Sequence, residues 1–503
     1  MNEEKNKLLE ALEEEDNFTL TENLATTYKS TKSALVDLFA MGGALRNRNE
    51  NEIKSLFSKA LQEDPLLAMK CLFYLRDIRG GQGERDTFRK MLHFVGNVRP
   101  EYVLKNLENI AFYGRFDDYF TLKGLTIETD TTDFLWKQFS RDLEALQKGN
   151  NVSLLAKWLP SENTSSKNTI KLAQFIRHKW NLSSKQYRKA LSALRERIRI
   201  VERDMCANQW DDIDYEKVPS RASMLYRKAF GRHDQERYAE YLNAVEKGEK
   251  EIKTSTLYPY DIVREIAMKR QYDKTLDLQW KNQIDWTEGR KENSLVVCDT
   301  SGSMGSFGGY DGRNPQPIYI SLSLALYFAE RNKGEFYNYF ITFSQSPELQ
   351  KIIGNNIYEK LLNLSRADWD GNTDLQAVFD LILRVAINKN VSNDEMIKKI
   401  YIITDMEFDQ ADGDYSYYRR GQTNFEVIKQ KFTNAGYEMP LLVFWNVDSR
   451  QNNVPVSVDE RNVLLVSGSS PSVFKTLMSG KSYTPYEVML EVLNSERYDR
   501  ITI

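Results

Sequence analysis

A chain of 503 residues, 41% hydrophobic and 12% aromatic, is too long for one ordinary core and rich enough in apolar side chains to bury two. Its net charge of −3 excludes a global field that would drive it onto nucleic acid or a membrane, so any such surface has to be local. Cys71, Cys206 and Cys298 stand apart, which excludes a disulfide framework and a Cys-x-x-Cys pair, and no run of about eighteen apolar residues is present to span a membrane.

Residues 1–19 read as an acidic N-terminal segment without the basic and apolar regions of a signal peptide, which with the scattered cysteines predicts a cytoplasmic protein. From 20 to 285 apolar residues recur every three or four positions, and 66–74, 102–110, 134–146, 171–180 and 186–202 each predict a helix. Breaks at Gly80-Gly81-Gln82-Gly83, Gly114, Pro160 and Pro219 separate them. Stacked antiparallel helix pairs follow, an all-α, HEAT-like helical repeat domain, although no fixed period is present.

The domain expected over 286–503 alternates strand and helix. Short apolar strands are predicted at 294–298, 336–343, 399–404, 440–445 and 462–466, with helices at 318–330, 374–385, 424–432 and 472–478 between them. A doubly wound, mostly parallel sheet is the natural result. Residues 497–503 are β-prone and are expected to add a strand. The first strand runs into Asp299-Thr300-Ser301-Gly302-Ser303, which presents a carboxylate and two hydroxyls at a strand's carboxyl end. Those are hard oxygen donors suited to Mg²⁺ or Mn²⁺, and hydroxyls leave the ion electrophilic enough to accept an outside carboxylate or phosphate.

At this turn the chain resembles the von Willebrand A family and its metal-ion-dependent adhesion site, a Rossmann-like domain. The resemblance rests on Asp299-x-Ser301-x-Ser303, on Gly371-Asn372-Thr373-Asp374 opening a later helix, and on a second apolar strand ending in Thr404-Asp405. It implies a ligand set of Asp299, Ser301, Ser303, Thr373 and Asp405. One departure is Met406, where many members have glycine. In the helical half, the blocks 74–85, 113–118, 218–222 and 257–260 resemble those of an uncharacterised family that joins a helical domain to an A domain. That plan is similar to the TROVE proteins, the Ro ribonucleoprotein family, and implies RNA binding by a basic surface on helical repeats. Residues 157–232 carry 17 Lys or Arg against 8 Asp or Glu, a surplus able to neutralise phosphates. Lys171, Arg177, Lys179, Lys185, Arg188 and Lys189 are the candidate nucleic-acid contacts, and Trp158, Phe175, Trp180, Tyr187 and Trp210 the candidate stacking faces. The competing reading makes the same lysines a solvated helix face and the rings core.

Other motifs fail as chemistry. Gly480-Lys481-Ser482 lacks the first glycine of a phosphate loop, since Lys475 stands in its place. His93, His178 and His233 neither share metal-ligand spacing nor sit beside a nucleophile signature. Asp117-Asp118 and Asp211-Asp212 read as caps or solvated loops, and the Gly80 region as a tight turn with Arg79 and Arg85 in ion pairs. With no organised base, an enzyme is the least favoured reading. The expectation is a non-enzymatic RNA-binding protein of Ro-like plan whose A domain takes an acidic group of a protein partner on its Mg²⁺. The alternative is a protein-interaction scaffold that uses the same ion to hold a partner's carboxylate and binds no nucleic acid.

Overall fold

The computed structural model describes residues 16–287, 293–309, 312, 315–343, 347–366, 373–410, 422–475 and 482–503. Helices fill the amino-terminal half where the apolar spacing is helical, among them Glu50–Glu63, Pro65–Arg76, Asp86–Val98, Glu128–Gln147, Lys167–Lys179, Ser184–Ile198, Ser220–His233 and Pro259–Lys269. Side chains set their starts: Asp64 Oδ1 accepts the Leu67 N–H at 2.9 Å with Pro65 in the first turn, and Ser183 closes a capping box with Gln186. The Ser184–Ile198 helix buries Tyr187, Leu191 and Leu194 on one face and stops at Arg199, whose φ of 51° is left-handed. Residues 186–202 are therefore two helices, the second being Val201–Cys206, and 102–110 likewise divides between Pro100–Lys105 and Leu107–Tyr113.

The 113–118 block is an ion cluster. Asp118 is fully buried and accepts from Arg76 Nε at 2.8 Å, Arg89 Nε at 2.7 Å and the Arg115 N–H at 3.0 Å. Asp117 takes Arg89 Nη2 at 2.7 Å and Arg115 Nη2 at 2.8 Å. The capping role expected of Asp118 is real, through the Arg115 N–H, but the pair is no solvated loop, because three guanidinium groups converge on it. Any side chain at Gly114 would meet Asp118 Oδ2 at 2.5 Å, which explains the glycine. Arg85 pairs with Asp86, whereas Arg79 donates to the Phe112 carbonyl rather than to an acid.

A short antiparallel hairpin, β1 (Phe18–Leu20) and β2 (Thr26–Tyr28), precedes the helices. The main sheet contains β3 (Ser294–Cys298), β4 (Tyr339–Thr342), β5 (Leu349–Lys351), β6 (Lys399–Thr404), β7 (Leu441–Asn446) and β8 (Val463–Ser467), in the order β5-β4-β3-β6-β7-β8. All neighbours are parallel except the edge strand β5. Every residue of β3 and β6 is buried, as their continuous apolar runs require. Ser294 stands opposite Lys399 and Cys298 opposite Ile403, a register that brings the ends of β3 and β6 level. The helix Pro317–Arg331 packs on one face; Leu375–Lys389 and Asn424–Asn434 pack on the other. Strand β5 and the helices Ile357–Leu364 and Pro485–Leu493 were not foreseen. Residues 497–503 form no strand: a single turn, Glu496–Tyr498, leads into a tail whose polar groups are taken by helices. Pro471–Lys475 is a 3₁₀ turn, and 476–478 lie outside the described residues, as do Gly480, Lys481 and residues 1–15.

Both chain ends cross between the halves. The Tyr28 N–H donates to the Val454 carbonyl at 3.1 Å and the Val454 N–H returns the bond at 2.9 Å, docking the hairpin on the sheet half. In the other direction Arg497 pairs with buried Asp77, Tyr113 donates to the Arg497 carbonyl, and Asn106 Nδ2 donates to the Thr502 carbonyl at 2.6 Å. Gly43 rests against Ser467 and Gly468, too close for any side chain there. One apolar cluster consequently runs from Leu35 through the helical half and the Pro317–Arg331 helix to Ile501.

Candidate functional site

Asp299 leaves β3 with its side chain fully buried. Thr404 Oγ1 donates to Asp299 Oδ2 at 2.6 Å, and the Ser301 N–H donates to Oδ1 at 2.9 Å. The hydroxyl oxygens of Ser301 and Ser303 lie 3.0 Å apart. Asp405 follows β6 directly, and the Asp299 N–H donates to the Ile403 carbonyl at 3.0 Å, so the parallel pairing of β3 with β6 sets both carboxylates on one rim. Burial first, then the Asp405 carboxylate beside it, push the Asp299 carboxyl well above the usual range.

Thr373 is buried and is tied to the loop that follows β6 through Asp409, whose Oδ2 accepts the Thr373 N–H at 2.8 Å and whose own N–H donates to the Thr373 carbonyl at 3.1 Å. Among the described residues no hydrogen bond joins its hydroxyl to the other four, and the preceding Gly371 and Asn372 lie outside them. Met406 adopts a φ of 69°, the left-handed region, at a cost of about 1–2 kcal/mol for a residue with a Cβ. The glycine-favouring turn is thus kept without the glycine.

The donor set fits a small divalent ion in chemistry: two carboxylates and hydroxyls, oxygen throughout. Among the described residues no group of three or more His, Cys, Asp or Glu converges as a metal site. Sequence reading missed Arg450, whose Nη2 donates to Asp405 Oδ2 at 2.9 Å and whose Nη1 pairs with Glu22 Oε2 at 2.7 Å. It also missed Glu407, buried, which accepts the Glu22 N–H at 2.7 Å and Asn453 Nδ2 at 3.1 Å. Nothing local flags these residues, since their partners stand up to hundreds of positions away. An open groove of about 710 Å³ beside Leu349, Leu381, Val385 and Met396 is lined also by Glu348, Asp380, Arg384 and Glu395 and shares no residue with the rim.

The six basic candidates divide. Arg177 Nε is bound to Glu162 at 2.9 Å, and Lys179 Nζ lies 3.1 Å from Glu128, so both are satisfied within the fold. Lys171, Lys185, Arg188 and Lys189 are exposed on the helices Lys167–Lys179 and Ser184–Ile198. Trp180 and Tyr187 are buried core, which removes them as base platforms, while half-buried Trp210 has one face stacked on His233. Trp158 and Phe175 are half-buried under Arg115 and Lys123. Helical periodicity alone cannot tell an apolar face from a stacking face, and here the core takes Trp180 and Tyr187.

A helical half joined to a doubly wound sheet with an oxygen-rich rim defines the class of this protein: an α-plus-α/β chain in which each half is similar to a known domain family. Domain of unknown function (DUF2828) matches residues 21–115 and 165–290, and Domain of unknown function (DUF7788) matches 293–500. The chain belongs to the family of Uncharacterized protein L728 of Acanthamoeba polyphaga mimivirus, with 30% identity over 523 residues, 95% of this chain and 87% of that one. Among solved structures, the Ro (RSR) protein of Deinococcus radiodurans aligns over 92% of this chain and 99% of its own at a TM-score of 0.47 and 14% identity. Among the described residues no helix is long and apolar enough to cross a membrane.

Proposed function

We propose that this chain is a non-enzymatic binding protein of Ro-like plan, with RNA on the helical half and a divalent-ion site of the von Willebrand A kind on the sheet rim. The observation that carries the metal reading is the meeting of Asp299, Ser301 and Ser303 with Asp405 at the ends of β3 and β6. Strand order with a single antiparallel edge strand supports an A-type domain. Asp299, Asp405 and the hydroxyls of Ser301, Ser303 and Thr373 would hold Mg²⁺ or Mn²⁺, and the bound ion supplies an open position for an acidic group of a protein partner. Among the described residues the rim presents no organised base or nucleophile, and the reading is binding rather than catalysis. For RNA, exposed Lys171, Lys185, Arg188 and Lys189 support phosphate contacts, and the cytoplasm is the setting the reading implies.

Calorimetric titration of Mn²⁺ into the wild-type chain and Asp299→Ala tests the rim: binding is expected to vanish in the variant, and equal affinity in both would end the metal reading. Gel shifts with single-stranded RNA test the helical half. Joint reversal of Lys185, Arg188 and Lys189 to Glu should weaken binding and flatten its salt dependence by about two counterions, at about 0.7 per contact. Absence of RNA binding by the wild-type chain at low salt would favour the scaffold, for which the internal pairing of Arg177 and Lys179 already speaks.

A further inference from the structure

Arg450 joins the rim to the opposite end of the chain. Its two terminal nitrogens are divided between Asp405 and Glu22, and its Nε is buried without a partner among the described residues. Both oxygens of Asp405 are already in use, Oδ2 by Arg450 and Oδ1 by the Glu407 N–H at 3.2 Å. Asp405 is fully shielded and Arg450 is 28% exposed, so dissolved salt screens their attraction weakly. Glu22 is anchored independently, because its own N–H binds Glu407, Thr21 Oγ1 donates to the Phe408 carbonyl at 2.7 Å, and Asn23 Nδ2 donates to the Glu407 carbonyl at 2.8 Å. The hairpin therefore grips the loop that follows β6 and hands a carboxylate to the guanidinium lying against the rim.

We infer that Arg450 is a built-in competitor for the divalent ion, neutralising Asp405 when no ion is bound, and that Glu22 of the amino-terminal hairpin sets how strongly it competes. The inference rests on the metal reading above. Without Arg450, two buried carboxylates, Asp299 and Asp405, would face each other uncompensated, which is costly. With it, an ion approaching Asp405 meets a resident positive charge and has to displace it. Glu22 draws part of that guanidinium away, so loss of the Glu22 charge leaves Arg450 wholly to Asp405. Coupling of this kind is reciprocal: whatever strengthens the Arg450–Asp405 pair weakens the ion, and the ion weakens the pair.

The test is Mn²⁺ calorimetry on the full chain, together with thermal unfolding in Mn²⁺ and in EDTA, for wild type, Arg450→Gln, Glu22→Gln and the double variant. Arg450→Gln should bind Mn²⁺ roughly tenfold more tightly, as expected when a like charge at contact distance is removed from a partly buried site. It should also be less stable than wild type in EDTA and gain more from Mn²⁺. Glu22→Gln should bind the ion more weakly, and that effect should disappear when Arg450 is already Gln. Equal or weaker binding by Arg450→Gln, with wild type binding normally, overturns the competitor and leaves the metal site standing. Silence from both wild type and Arg450→Gln removes both ideas. Should Arg450→Gln fail to fold, Glu22→Gln decides alone, and unchanged affinity in that variant counts against the inference.

Discussion

Two helices flank the same sheet and differ in almost everything else. Pro317–Arg331 is buried at thirteen of its fifteen positions, pressed between the strands and the Pro259–Lys269 helix of the amino-terminal half. Leu375–Lys389, of equal length on the other face, buries six and leaves Val385 and Ile387 about half exposed. A helix apolar all round has neighbours on both sides, whereas one with a single apolar stripe has solvent behind it. The difference teaches that the sheet's inner face is shared property: the helical half is its second layer, and the two halves have a core in common.

The sharpest way to break that comparison is Phe328→Ala, which removes a ring stacked on Tyr401 at 4.2 Å and in edge contact with Phe474. A loss of about 3–5 kcal/mol is expected, with helical and sheet signals melting together in denaturant. Separate transitions would deny the common core. Arg497→Ala is next. It leaves the buried Asp77 carboxylate with the Tyr498 hydroxyl and the Arg79 N–H but no cation, and because Arg497 is about a third exposed the expected cost is about 2 kcal/mol, below that of a fully buried pair. Faster amide exchange in residues 497–503 should accompany it, and unchanged exchange would mean that the asparagine contacts hold the tail unaided. Val385→Ala, on the solvent side of the outer helix, should change stability by less than about 0.5 kcal/mol. A larger loss in thermal unfolding would show that the outer face is covered by something in solution.

Much of this was legible because it is local. The apolar runs of β3 and β6, and the oxygen-rich turn beginning at Asp299, follow from residues within a few positions of one another. Strand β5 was not legible: three half-exposed residues on an edge carry too little apolar pattern to separate from a loop. The tail at 497–503 misled for the opposite reason. Its β-forming composition is real, but its polar backbone groups are satisfied by Asn106 and Asn109 nearly four hundred residues earlier. Arg450 belongs to the same class of surprise, a surface-type residue whose role depends on which distant carboxylates meet it. In the basic stretch, composition could count the charges but could not show that Glu162 and Glu128 were waiting for Arg177 and Lys179.

The reciprocal exchange of termini also constrains how the molecule comes into being. Glu22 cannot reach its acceptor until Glu407 has been synthesised, 385 residues later, which takes about 20–80 s at about 5–20 residues per second. Until then the hairpin's strand edges stay open on a nascent chain emerging from the ribosome, a liability that chaperones exist to cover. The hairpin, made before every other element described, is thus among the last to find its place.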